Sequence, residues 1–113
     1  MSRQGGSDNC LPDRIRQTIR RGEYGLSRHA TEQRLARQIT EAEILEALDN
    51  CFVIEDYPDD KYGPSCLILG HTKAGRSLHV HCSYPGRPLI KIITLYEPDP
   101  NVWADLRVRK QGG

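Results

Sequence analysis

The segment from Gly75 to Pro98 constrains the fold most strongly, because its residue pattern predicts two consecutive β-strands. In the first of these strands, side chains alternate between polar and apolar from Ser77 to Ser83. Successive side chains of a strand point to opposite faces of a sheet, so this strand has one apolar face and one polar face. The apolar face carries Leu78, Val80 and Cys82, and the polar face carries Ser77, His79, His81 and Ser83.

A turn and a second strand follow directly. The turn is predicted at residues 84–88, Tyr-Pro-Gly-Arg-Pro, because proline presets φ for a turn and glycine allows positive φ. From Leu89 to Tyr96 the chain is rich in β-branched residues and nearly all apolar, with Lys91 as the charge inside it. Such a run is typical of a central strand that is covered, at least in part, on both sides.

Three helices are predicted before the sheet. The first begins near Leu11, where apolar residues recur at helical spacing. The second follows Ser27, a favourable N-cap residue. The third opens with the capping box formed by Thr40 and Glu43 and stops at Asn50.

Two further strands are predicted at Cys51–Asp56 and Ser65–His71, residues 23–26 are interpreted as a loop, and a short helix is predicted after Pro98. We therefore expect an α+β fold in which the N-terminal helices pack on one face of a four-stranded antiparallel sheet, with a short C-terminal helix. The expected domain spans residues 11–109, between a disordered N-terminus at 1–10 and a frayed tail at 110–113.

Composition and charge limit the classes of protein that this chain can belong to. At 113 residues it is one domain long, and it has neither a long apolar run nor an apolar segment at its start, which predicts a cytoplasmic protein without a membrane span. Its net charge is only +1, with an acidic segment between two basic ones, which disfavours unaided nonspecific binding to nucleic acid. No cofactor is expected, and the scattered cysteines are predicted to be mainly buried free thiols.

The candidate catalytic residues are histidines, arginines, a lysine and a tyrosine. Metal-free RNA cleavage needs a base for the 2′-hydroxyl proton, an acid for the leaving 5′-oxygen and cations beside the charged phosphorus. His79 and His81 stand on the same strand face, about 7 Å apart at their Cα atoms, which is enough to straddle one phosphate. The full candidate set is His29, Arg34, Arg37, His79, His81, Lys91 and Tyr96.

Other interpretations of these residues remain open. Histidines on a half-exposed sheet face are also compatible with purely structural hydrogen bonding. A zinc site would combine His79 and His81 with His29, His71 or a cysteine, but no standard ligand spacing supports it. Cys82 is disfavoured as a nucleophile, because alternation places it on the face opposite both histidines.

Three ordered segments of the chain resemble a bacterial family catalogued as domain of unknown function four-two-five-eight. They are SRHATEQRLARQIT, VIEDYPDDKYGPSCLILGHTKAGRSLHVHCS and IKIITLYEPDPNVWADLRVR. The recurring pattern of that family falls on His29, Ala30, Arg34, Arg37, Ile54, Tyr57, His79, Thr94, Tyr96, Trp103 and Arg109. Because the pattern includes His79, this histidine is preferred to His81 as the catalytic one.

The resemblance also implies a function. Domains of this family are similar to small α+β ribonuclease toxins of the RelE type, which implies a toxin-like, metal-independent endoribonuclease that acts on RNA and pairs with a zinc-finger antitoxin. RelE-like toxins are markedly basic, whereas this chain is near neutral, so the alternative is a non-catalytic module that binds protein or RNA. For catalysis, the helix that carries His29, Arg34 and Arg37 has to face His79.

Overall fold

The computed structural model describes residues 10–85 and 89–110. In chain order its elements are α1 (Leu11–Arg20), β1 (Tyr24–Leu26), α2 (Arg28–Ala36), α3 (Glu41–Asp49), β2 (Phe52–Tyr57), β3 (Ser65–His71), β4 (Ser77–Ser83), β5 (Ile90–Tyr96), β6 (Trp103–Ala104) and β7 (Val108–Arg109). The predicted disorder at residues 1–9, the tail at 111–113 and the centre of the predicted turn at 86–88 lie outside the described residues.

Five strands form one mixed sheet in the order β1-β5-β4-β3-β2, in which β1 runs parallel to β5 and the other neighbours are antiparallel. The prediction of a four-stranded antiparallel sheet is therefore wrong. Residues Tyr24–Leu26 are an edge strand and not a loop: the backbone N–H of Ile90 donates to Glu23, and that of Ser27 to Ile92, both at 2.9 Å. Three residues that include a glycine are too few to show an alternating pattern.

The prediction of a C-terminal helix is also wrong, because the residues after Pro98 form a hairpin in which β6 pairs antiparallel with β7. The Asp99 carboxylate accepts a hydrogen bond from the backbone N–H of Asn101 at 2.8 Å, as in an Asx turn. Asp105 and Leu106 have φ angles of 54° and 62°, and these left-handed residues lie between the two strands, where the chain reverses.

The second and third helices begin at the residues that the sequence predicts. The Ser27 hydroxyl accepts a hydrogen bond from the backbone of Ala30 at 3.0 Å. Thr40 and Glu43 form a reciprocal capping box, in which each side chain accepts a bond from the other's backbone N–H, at 3.0 and 2.9 Å. None of the helices in the described ranges is long and apolar enough to cross a membrane.

The two faces of the sheet are covered by different parts of the chain. The three helices lie on one face, where they bury the apolar side of β4, namely Leu78, Val80 and Cys82. This confirms the predicted alternation, because His79 and His81 point to the opposite face. The C-terminal hairpin covers part of that second face, with the Trp103 ring 4.5 Å from the ring of His79.

The cysteines are free thiols, as predicted. Cys51, Cys66 and Cys82 are buried on the helix-covered side of the sheet, whereas Cys10 is exposed. Burial raises the pKa of Cys51 to about 11. The pKa of Cys82 is also raised, mainly by its hydrogen bond with Cys66 and additionally by burial. These two thiols are therefore protonated at neutral pH and unsuited to nucleophilic attack.

Helix α3 approaches the interior strand β3 closely at Gly70. A Cβ atom on Gly70 would lie 2.1 Å from the carbonyl oxygen of Ala47 and 3.0 Å from its Cα atom. Backbone atoms do not tolerate such a contact, so glycine is required if the helix backbone is to rest on this strand.

Gly70→Ala is expected to lower the free energy of unfolding by roughly 1–3 kcal/mol, because α3 has to move away from the strand. Gly25→Ala is a matched control, since it also lies in a strand but its new Cβ would meet Leu89 at an ordinary 3.8 Å. Urea unfolding followed by circular dichroism measures both variants. A Gly70→Ala protein as stable as wild type would contradict this packing.

Candidate functional site

A cleft of about 410 Å³ opens on the sheet face that the helices leave free. His81 lies in it, flanked in register by Leu67 on β3 and Thr94 on β5. Its walls come from several strands and from the loop after β2, which contribute Tyr57, Asp60, Leu67, His81, Thr94, Tyr96 and Arg109. The polar face of β4 therefore meets side chains that lie far apart in the sequence.

His81 is the histidine that lines this cleft. Its Nε2 atom lies 2.9 Å from the hydroxyl of Ser65, and that hydroxyl donates to the carboxylate of Asp60 at 3.4 Å. Because the Ser65 proton goes to Asp60, the Ser65 oxygen accepts the Nε2 proton of His81. The neutral ring then has an unprotonated Nδ1 atom.

The Nδ1 atom of His81 is available to a substrate. Among the described residues, no hydrogen bond involves this Nδ1 atom. Every buried polar side-chain atom of these residues has a hydrogen-bond partner, so Nδ1, which has none, is not buried and is open to solvent. Burial lowers the pKa of His81, against a smaller opposing effect of Asp60, and the ring is therefore neutral at pH 7. A neutral imidazole with an accessible lone pair is what a general base requires.

An ion pair with Glu55 holds Arg109 in the wall of the cleft. Arg109 donates from Nε and Nη2 to the two carboxylate oxygens of Glu55, at 3.0 and 3.3 Å, and the Tyr57 hydroxyl also donates to Glu55. Burial alone would raise the pKa of Glu55. The hydrogen bonds from Tyr57 and Arg109 outweigh this effect and hold the pKa below its ordinary value. Burial and the bond to Glu55 raise the pKa of Tyr57. A fixed guanidinium thus stands beside a neutral phenol.

His79 lies beneath the cleft and is completely buried, with 0% of its surface exposed. Its Nε2 atom lies 2.6 Å from the carbonyl oxygen of Leu106, which can only accept, so Nε2 carries the proton. The Nδ1 atom of the neutral ring then accepts a hydrogen bond from the Tyr96 hydroxyl, 3.2 Å away. Burial lowers the pKa of His79 and raises that of Tyr96, so both are neutral at pH 7.

This arrangement gives the two histidines different roles. His79 does not line the cleft, and both of its ring nitrogens are bonded. It draws the Tyr96 proton inward, so that Tyr96 presents its oxygen lone pairs to the cleft. His79 therefore orients Tyr96, while His81 is the ring that a substrate in the cleft can reach.

The three candidates on α2 and at its end form no direct contact with the cleft. None of the hydrogen bonds or ion pairs between described residues joins His29, Arg34 or Arg37 to a cleft residue. His29 is exposed, Arg34 donates to the carbonyl of Ile39 at 3.1 Å, and Arg37 donates to Gln33 at 3.1 Å. The structure thus does not bring the arginines and His29 together with His79.

Lys91 lies outside the cleft as well. It is exposed on β5, and its backbone N–H donates to the Ser83 hydroxyl at 2.9 Å. Its side chain lines a neighbouring depression that includes Ser83 and Tyr62. Lys91 is therefore next to the cleft and not part of its wall.

The described residues do not gather three or more His, Cys, Asp or Glu side chains into a group that could hold a metal ion. His79 is one of the residues that a zinc site here would need as a ligand. Both of its ring nitrogens are already hydrogen-bonded, one to Tyr96 and the other to Leu106. No metal ligand set is assigned to the cleft.

Several residues that line the cleft or hold its side chains in place are missing from the chemical interpretation of the sequence. Asp60, Ser65 and Glu55 act through hydrogen bonds to other side chains, and no local pattern marks them. Tyr57 and Arg109 do fall on the family pattern, so the resemblance contains the signal that points to them.

The fold and the cleft define a small α+β domain with a polar site on the sheet face opposite its helices. A family model described as "Domain of unknown function (DUF4258)" matches residues 26–97, and the chain belongs to this family. Comparison with curated proteins and with solved structures found no match. The matched residues contain α2, α3 and the strands from β2 to β5, while α1 and the C-terminal hairpin lie outside them.

His79 is expected to remain neutral, in the Nε2–H form, when the pH falls below the ordinary histidine pKa of about 6.5. The unfolded chain then binds the proton more readily, so the free energy of unfolding decreases as the pH drops below about 6.5. Long-range proton–nitrogen NMR identifies the protonated ring atom. Tyr96→Phe should leave the tautomer unchanged, because Leu106 sets it. A proton on Nδ1 at neutral pH would contradict this arrangement.

Proposed function

We propose that this protein is a metal-independent endoribonuclease and that the cleft around His81 is its active site. One observation carries the proposal: a neutral histidine with a free ring nitrogen, a guanidinium and two neutral phenols line the same cleft. These groups provide a base, a cation and hydrogen-bond donors or acceptors, which cleavage of RNA through its own 2′-hydroxyl requires.

In the proposed reaction, His81 Nδ1 takes the proton of the ribose 2′-hydroxyl, and the 2′-oxygen attacks the adjacent phosphorus. The bond from phosphorus to the 5′-oxygen breaks, which leaves a 2′,3′-cyclic phosphate on one fragment and a 5′-hydroxyl on the other. To protonate the leaving oxygen, the Tyr57 hydroxyl turns away from Glu55, to which it donates in the unbound protein, and Arg109 beside it stabilises the charge on the phosphate and on the phenolate. Tyr96, oriented by His79, accepts a hydrogen bond from the ribose.

The biological class belongs to the same proposal. The three segments resemble a family whose domains are similar to RelE-type toxins, and this supports a toxin-like ribonuclease, with RNA as substrate and a zinc-finger antitoxin as partner. At a net charge of +1, RNA has to be held by local contacts and not by an overall positive field.

A non-catalytic RNA- or protein-binding module is the second candidate. The ion pair between Arg109 and Glu55 favours this non-catalytic candidate, because the carboxylate neutralises much of the positive charge that a substrate phosphate would meet. This candidate predicts stable binding of a ligand without any cleavage product.

His81→Asn is expected to reduce RNA cleavage at least about 100-fold, because the general base is lost. His71→Asn is the matched control: the His71 ring also bonds a serine hydroxyl, that of Ser77 at 3.0 Å, but it lies outside the cleft. Cleavage of labelled single-stranded RNA is followed in the presence of a chelator, and circular dichroism confirms that both variants fold.

Two results would contradict the proposal. One is wild-type protein that leaves RNA intact in the chelator, and the other is His81→Asn that cleaves as fast as His71→Asn. Cyclic-phosphate ends on the product, detected by mass spectrometry, would identify the 2′-hydroxyl as the attacking group.

A further inference from the structure

A second depression of about 410 Å³ lies beside the cleft on the same sheet face. Tyr62, Ser83 and Lys91 are among the residues that line it. Ser83 lies two residues after His81 on β4, so these two residues, one in each cavity, lie about 7 Å apart along the strand.

The rim of the depression carries an aromatic ring that the protein leaves unpacked. Tyr62 exposes 88% of its surface, and the ammonium group of Lys61 lies 5.2 Å from the centre of its ring. An aromatic face flanked by a cation suits a nucleobase, because every base can stack on it and the cation favours the adjoining phosphate.

Lys91 supplies a second cation to the same depression. It is exposed, and the bond from its backbone to the Ser83 hydroxyl fixes its position against the end of β4. Lys91 makes no ion pair with the described residues, so its charge is not neutralised within the described part of the chain. An ammonium group in this state is a suitable contact for a backbone phosphate.

Asp60 connects the depression with the cleft. One of its carboxylate oxygens accepts a hydrogen bond from the backbone of Tyr62 at 3.2 Å, and the other accepts from Ser65, which holds His81. The backbone of Gly63 also donates to the Asp60 carbonyl at 2.9 Å. The loop that carries Tyr62 is thus held in a defined position relative to the proposed general base.

We infer that this depression is a subsite for one nucleotide of single-stranded RNA, next to the phosphate that is cleaved. The base stacks on Tyr62, and Lys91 contacts the backbone phosphate. The choice of RNA as ligand rests on the proposed function. Bases inside a duplex are already stacked on one another, so the subsite selects single strands or loops.

The test uses a short 2′-O-methyl oligoribonucleotide, which has no free 2′-hydroxyl to attack and therefore binds without being cleaved. Fluorescence anisotropy gives its Kd for the 113-residue chain. Tyr62→Ala is expected to raise the Kd about 10-fold, while Tyr62→Phe keeps wild-type affinity because the stacking ring remains. Lys91→Gln is expected to reduce the slope of log affinity against log salt by about 0.7. Lys73→Gln, in the turn between β3 and β4, is the charge control.

The outcomes separate this inference from the proposed function. If the wild type cleaves RNA and Tyr62→Ala binds the oligonucleotide as tightly as wild type, the subsite is wrong and the active site stands. If the wild type binds the oligonucleotide through Tyr62 and Lys91 but never cleaves RNA, the subsite stands and the enzyme is wrong. Wild-type protein that does not bind the oligonucleotide overturns the subsite.

Discussion

The guanidinium of Arg76 connects the helices to the sheet through four hydrogen-bonding partners. It donates to Glu97 after β5 at 2.8 Å, to Glu43 in the capping box of α3 at 3.1 Å, and to the carbonyls of Arg37 and Gln38 at 2.8 and 3.1 Å. One planar cation therefore satisfies the backbone between two helices and joins it to two carboxylates. Because Arg76 directly precedes β4, the same contact holds the strand of both histidines against the helical layer.

The features of the fold that could be predicted from the sequence are those set by neighbouring residues. Ser27 and the pair Thr40–Glu43 cap their helices through bonds that span three residues, so the sequence contains the whole interaction. The strand Tyr24–Leu26 exists because it pairs with β5, and the C-terminal hairpin exists because Trp103 packs on the sheet. Both depend on partners distant in the chain, and local propensity does not reveal such partners.

The same distinction applies to the candidate site. Alternation along β4 predicts which face carries His79 and His81, because this depends only on strand geometry. It does not predict which ring is buried, since the C-terminal hairpin decides that by placing Leu106 over His79. The pairing of Arg109 with Glu55 joins residues 54 positions apart, so their distance in the sequence hides that Glu55 holds the guanidinium in the wall of the cleft.

The boundary of the family match at residue 97 gives the hairpin a particular meaning. The base of the site, with His81, belongs to the part that the family shares, whereas Arg109 and the carbonyl of Leu106 come from the segment after it. The hairpin therefore completes the site from outside the matched sheet: one short segment supplies both the cation in the wall of the cleft and the acceptor that sets the tautomer of the buried histidine.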